Sequence, residues 1–175
     1  MNISKIMLIM SLLYLACSSS SDSPDEPDRQ YASFVIGFST EYNPPPEAWS
    51  SEEALGSPDV YPNHGDIDEA WASLSEDDQR EYIELGYETA QTVAKIEIYE
   101  TYNPGAIDTV YLRNVTTSQW LPVWQGSAFV YGDSSRIFEI NISETRYKAD
   151  AIRIALNSPV VPGWNEIDAI AISSK

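Results

Sequence analysis

Five aromatic side chains lie among turn-forming residues: Tyr42, Trp49, Tyr61, Tyr102 and Trp164 stand next to or near Pro, Gly or Asn. On such segments a ring is presented to a ligand as readily as it is packed. Aromatic faces take the C–H surface of a sugar, and a few polar groups then fix its hydroxyls. His64, Asn103, Glu47 and Arg113 are candidates for that second role. The competing use of large rings is core filling, and Trp71, Trp120 and Trp124 are assigned to it. Covalent chemistry is poorly supplied. His64 is the only histidine and Cys17 the only cysteine, which rules out a multi-histidine zinc site. No serine or cysteine nucleophile motif surrounds His64. A two-carboxylate glycosidase needs only acids at the right separation, but no larger catalytic insert is present. The expectation is a non-catalytic binding protein.

Cys17 suggests a different chemistry. Lys5 precedes an apolar run, Ile6–Ala16, and Ser18–Ser21 follow the cysteine. A basic start, a short apolar stretch and a small residue make a secretory signal layout. The run is too short to span a bilayer, which takes about 20 residues. Leu13-Tyr14-Leu15-Ala16-Cys17 resembles the bacterial lipobox, with Tyr14 where leucine is usual. That resemblance implies cleavage after residue 16, acylation of Cys17 with palmitate or a similar chain, and a lipid-anchored protein of the bacterial cell envelope, at the outer membrane or cell surface.

The chain has 27 acidic and 10 basic residues, a net charge of −17. Loss of Lys5 with the signal leaves nine basic residues, hence −18. Such a surface repels nucleic acid, whose binding rests on Lys and Arg neutralising phosphate. It admits neutral ligands and cations. One cysteine gives no disulfide framework, so stability has to come from a packed core.

The elements that position these residues read as strands. Residues 17–30, Ser/Asp/Pro-rich beyond Cys17, form a flexible tether. Residues 31–175 form one domain. Period-2 alternation marks Ala32–Phe38, Glu81–Tyr87, Val93–Glu100, Thr109–Asn114, Trp120–Trp124, Arg136–Ile142, Ala151–Leu156 and Glu166–Ile172. Eight short strands with little helix predict an all-β, antiparallel β-sandwich or barrel. A short helix is expected at Ser51–Leu55, capped by Ser50. Residues 39–80 form a long irregular stretch, the place where a site is expected.

Several motifs then fall in a family order. Ala54-Leu55-Gly56-Ser57-Pro58-Asp59, Gly65-Asp66 and Ala70-Trp71-Ala72-Ser73 resemble the first-loop signature of the galactose-binding-like jelly rolls. That group includes discoidin and coagulation factor V/VIII type C domains and many bacterial carbohydrate-binding modules. Tyr82–Leu85, Val93–Tyr99 and Trp164–Ile170 resemble its later strands. The resemblance covers residues 33–172 and implies a jelly-roll sandwich that binds through variable loops. It also implies a structural Ca²⁺ held by carbonyls near Ala54 and Asn165 and by the side chains of Asp59 and Glu166. Gly56 and Glu69 depart from the metal-binding pattern, leaving Asp59, Asp66 or Asp68 as stand-ins. The expected ligand is a glycan, met by Tyr42, Trp49, Tyr61, His64, Tyr102 and Trp164. The alternative is a monomeric docking module for another envelope protein.

Overall fold

The computed structural model describes residues 28–175. Cys17 and the signal segment lie outside the described residues. Among the described residues nine strands form two antiparallel sheets packed face to face: β1 Gln30–Tyr31, β2 Phe34–Phe38, β3 Glu81–Gln91, β4 Lys95–Tyr102, β5 Ile107–Asn114, β6 Trp120–Gln125, β7 Arg136–Asn141, β8 Ala149–Leu156 and β9 Glu166–Ser173. One sheet runs β1-β9-β4-β7 and the other β2-β3-β8-β5-β6. This is the expected all-β sandwich.

The alternating positions line the core. Ile83 and Leu85 of β3, Ile96 and Ile98 of β4, Val110 and Leu112 of β5, and Ile152 and Ile154 of β8 are all buried. Each fully buried aliphatic side chain contributes about 1.5–3 kcal/mol. The closing strand β9 is buried along its whole length, on both faces. Ile170 and Ile172 join the core. On the other face Ala169 pairs with Tyr99 and Ala171 with Tyr31, whose rings lie 6.4 Å apart.

Three expectations need correction. The fold starts slightly before residue 31: β1 pairs with β9, and Arg29 bridges to Glu97 at 3.1 Å. Ser51–Leu55 is a single 3₁₀ turn, Ser51–Ala54, without a side-chain cap. Ser50 Oγ has no partner; the Ser51 N–H donates instead to Glu41 Oε2 at 2.8 Å. Trp120 does not enter the core. It lies on the outer face of the five-stranded sheet, with the guanidinium of Arg153 4.8 Å from its ring centre. Trp71 is fully buried, and Trp124 packs edge-on against Phe138 at 4.9 Å.

Gly105 shows how the β4–β5 turn is fixed. Its φ is +115°, and a Cβ there would sit 2.0 Å from the carbonyl oxygen of Phe129. Its N–H donates to the buried Glu100 at 2.8 Å. Gly105→Ala should therefore cost about 2 kcal/mol or more, read as a lowered urea midpoint with an unchanged slope.

Candidate functional site

The site grows from a short extended segment, Trp71–Ser73, at one end of the sandwich. Trp71 forms an isolated bridge with Ile167 of β9: its N–H donates to Ile167 O at 2.9 Å, and Ile167 returns the bond at 3.1 Å. The other edge of this segment holds the long loop. The Ala72 N–H donates to Trp49 O at 3.3 Å, and the Tyr42 N–H to Ala72 O at 2.9 Å. Ser73 O accepts the indole N–H of Trp164 at 3.1 Å. Three rings distant in sequence thus hang from two consecutive residues, Ala72 and Ser73.

The rings close on one another. Tyr42 meets Trp49 at 5.3 Å and Trp164 at 5.7 Å, both edge to face. Trp49 takes a left-handed backbone with φ 57°, uncommon for a bulky residue. It is held there by donation from its own N–H to Asp68 O at 2.9 Å. Asn103 fixes Trp164 from behind, its Nδ2 donating to Trp164 O at 3.0 Å.

Together these residues line a small pocket of about 40 Å³ bounded by Tyr42, Trp49, Asp66, Ala72, Trp164 and Glu166. Glu166, the first residue of β9, is 1% exposed. Its Oε2 accepts one long hydrogen bond, from the Ile67 N–H at 3.3 Å. Its Oε1 has no partner. Burial pushes this carboxyl up to about 9; the Ile67 N–H opposes the rise, and the adjacent Asp66 carboxylate adds to it. The Trp49 indole N–H also faces Glu166 and lowers it slightly, though outside hydrogen-bond geometry.

Of the six residues expected to meet a ligand, Tyr42, Trp49 and Trp164 come together in this pocket. The other three lie outside it. The Tyr61 ring packs on Tyr99 at 5.4 Å, and His64 on Tyr102 at 5.7 Å. Tyr102 is the register partner of Glu166, so the His64–Tyr102 pair flanks the pocket. Asp66, part of the first-loop motif and a stand-in metal ligand there, forms part of the wall. Its place next to Gly65 in the long loop was the only hint.

The four residues expected around calcium are engaged separately. Asn165 is buried, donates through Nδ2 to Asn103 O and Val161 O, and accepts from Ser158. Glu166 faces the pocket. The loop carrying Ala54 and Asp59 meets a different carboxylate, Asp168, two residues along β9. Asp168 accepts the N–H groups of Asp59 at 3.2 Å and Tyr61 at 2.8 Å. Calcium takes 6–8 oxygen ligands. Here the loop turns N–H donors toward the closing-strand acid, and among the described residues no three His, Cys, Asp or Glu side chains gather as a metal site.

Solved structures share this architecture. Chitosan-binding module 1 of a chitosanase/glucanase from Paenibacillus sp. IK-5 superposes with a TM-score of 0.61 at 15% identity, over 82% of this chain and 96% of the module. The family 32 carbohydrate-binding module of Streptococcus pneumoniae EndoD gives 0.58 at 12% identity, over 85% and 97%. XRCC1, in its complex with the DNA pol beta catalytic domain, gives 0.64 at 12%, over 84% and 99%. At these identities the likeness establishes the fold, a two-sheet antiparallel β-sandwich, and nothing finer. F-box/LRR-repeat protein 4 of Bos taurus is 21% identical over 173 residues; the match takes in 82% of this chain but only 28% of that protein. Residues 20–175 match the family described as Pappalysin-1, SD scarf domain, C-terminal. With nearly its whole length inside that match, the chain belongs to the pappalysin-1 C-terminal SD scarf domain family.

Proposed function

We propose that this protein is a non-catalytic glycan-binding module, and that its ligand enters the pocket between Tyr42, Trp49 and Trp164. The observation that carries this reading is the convergence of three rings and two carboxylates in one concave site. Aromatic walls with a few convergent polar groups are the general form of a small-ligand site. Several sandwiches of the same fold are carbohydrate-binding modules, one of them, from C. perfringens NanJ, in complex with galactose. A glycan array probed with wild-type protein and with Trp164→Ala tests it. The wild type should give saturable hits, and the variant should lose them at least tenfold, because base or sugar stacking of this kind is worth about 1–3 kcal/mol. Equal signals from both proteins would refute the site.

A docking role has one observation of its own. Phe129, Val130 and Tyr131 are exposed in sequence in the loop between β6 and β7, an apolar run of the kind found in protein interfaces. If that run is the working surface, Val130→Asp will abolish capture of a partner and leave glycan binding intact.

For its setting, we infer a bacterial envelope lipoprotein acylated at Cys17, on the strength of the apolar run and the lipobox-like sequence before it. Metabolic labelling with an alkynyl palmitate should tag the wild type and not Cys17→Ser. Label retained by the variant would contradict the anchor.

A further inference from the structure

Five acidic side chains are buried among the described residues: Glu81, Glu97, Glu100, Glu166 and Asp168. Four have full complements. Glu81 accepts from Thr40 at 2.9 Å and from Gln79 at 3.0 Å. Glu97 lies between Arg29 and Lys95, both at 3.1 Å. Glu100 holds Arg136 at 2.6 Å and the Gly105 N–H. Asp168 holds two loop N–H groups. Glu166 differs: one of its oxygens is unpaired, and it lines the aromatic pocket with Asp66 against it. Neither Glu166 nor Asp66 takes part in the ion pairs of the described residues, and no Lys, Arg or His lines the pocket.

A buried carboxylate without a counter-charge is costly, and a second one beside it raises the cost. Ring faces turned toward the same space attract a cation through their quadrupoles. Hard metal ions are badly served, since three walls are indole or phenol rings and two acids fall well short of 6–8 oxygens. A positively charged group on an otherwise C–H-rich body suits both the rings and the acids.

We propose that the pocket selects a protonated amino sugar, its ammonium placed between Asp66 and the free oxygen of Glu166 and its ring face against Trp49 and Trp164. This rests on the reading above that the pocket takes a sugar. Neutral or acetylated sugars can stack on the same rings but leave the Glu166 oxygen unpaired. The empty pocket keeps a proton on Glu166; the ammonium replaces it, and because charge-assisted bonds are about twice as strong as neutral ones the preference for the free amine should exceed tenfold.

Calorimetric titration separates the possibilities. The probes are a β-1,4-glucosamine oligomer, the matching N-acetylglucosamine oligomer, choline and calcium chloride, each added to the full chain. The expected result is binding of the glucosamine oligomer at least tenfold tighter than its acetylated counterpart. That preference should collapse in Glu166→Gln and shrink in Asp66→Asn. Because Asp66 is exposed, its variant keeps the test sharp if Glu166→Gln folds poorly. Equal binding of the two oligomers would leave the glycan site standing and overturn the amine preference. Tighter binding of choline or of calcium would overturn it in favour of a quaternary ammonium or a metal. Heat from none of the four would overturn this inference, and if the glycan array is silent as well the glycan reading falls with it.

Discussion

Replacing Asp168 with alanine should destabilise the protein by about 2–4 kcal/mol, since it strips the acceptor from two amides in a place water does not reach. Asp168 is 1% exposed and holds the Asp59 and Tyr61 N–H groups. It is the strap by which the closing strand fastens the first long loop. Burial pushes the carboxyl up while the Tyr61 and Asp59 N–H groups pull it down, so the charge that remains serves the loop. Asp168→Asn keeps one acceptor oxygen and the shape, and should lose roughly half as much. Because the strap is made by the chain itself, a chelator should leave the wild-type melting temperature unchanged. A chelator-induced drop as large as that of Asp168→Ala would mean that a cation, not this carboxylate, holds the loop.

The second large effect concerns Glu166 and pH. Its carboxyl is raised from the ordinary 4.5 to about 9, by burial first and by the Asp66 charge in addition. Between those values the folded protein keeps a proton that the unfolded chain has released. Stability must then fall as pH rises through this window, by on the order of 1 kcal/mol per pH unit from this one group. The groups facing Glu166 are Asp66 from the loop, and Tyr42, Trp49 and Trp164 around the pocket. None supplies a positive charge. Glu166→Gln keeps the size and removes the titration, so it should flatten the slope and be more stable than wild type at pH 8 while nearly equal at pH 5. Glu100, Asp168 and Glu53 are raised as well, and their share of the slope remains in the variant. Urea unfolding at three pH values measures both chains. Parallel slopes would show that Glu166 is not the buried neutral acid described here.

The sandwich was legible because its strands are half-buried. Ile83 and Leu85, or Ile152 and Ile154, alternate with polar residues, and that period survives in the sequence whatever the partner strand. β1 was not legible, since Gln30–Tyr31 is too short to show a period; only the edge of β9 makes it a strand. The expected helix forms after Ser50, with the acids that follow in its first turn, but as a 3₁₀ turn, because Gly56 and Pro58 stop it after four residues. For the pocket, residue type gave half the answer. Tyr42, Trp49 and Trp164 were visible as loop aromatics. So were Tyr61 and Tyr102, which stack on other rings instead. What separates the two groups is the row of main-chain hydrogen bonds along Trp71–Ser73. For Tyr42 and Trp49 these bonds are made by atoms every residue has, so side-chain identity carries no trace of them; Trp164 alone is held through its own side chain. Glu166 and Asp168, two positions apart, looked equivalent on the closing strand. A register shift near Glu100 sends one to the pocket and the other to the loop.

The central claim, that ligand enters between Tyr42, Trp49 and Trp164, is most directly read from the five tryptophan side chains. Each gives one indole N–H signal in a ¹H–¹⁵N correlation spectrum of labelled protein. Titration with a glycan-array hit should move the Trp49 and Trp164 signals together and to saturation. Trp71, sealed in the core, and Trp120 and Trp124, on and beneath the far sheet, should stay in place. Movement of Trp120 with Trp49 and Trp164 fixed would put the ligand on the Arg153 face and contradict the account.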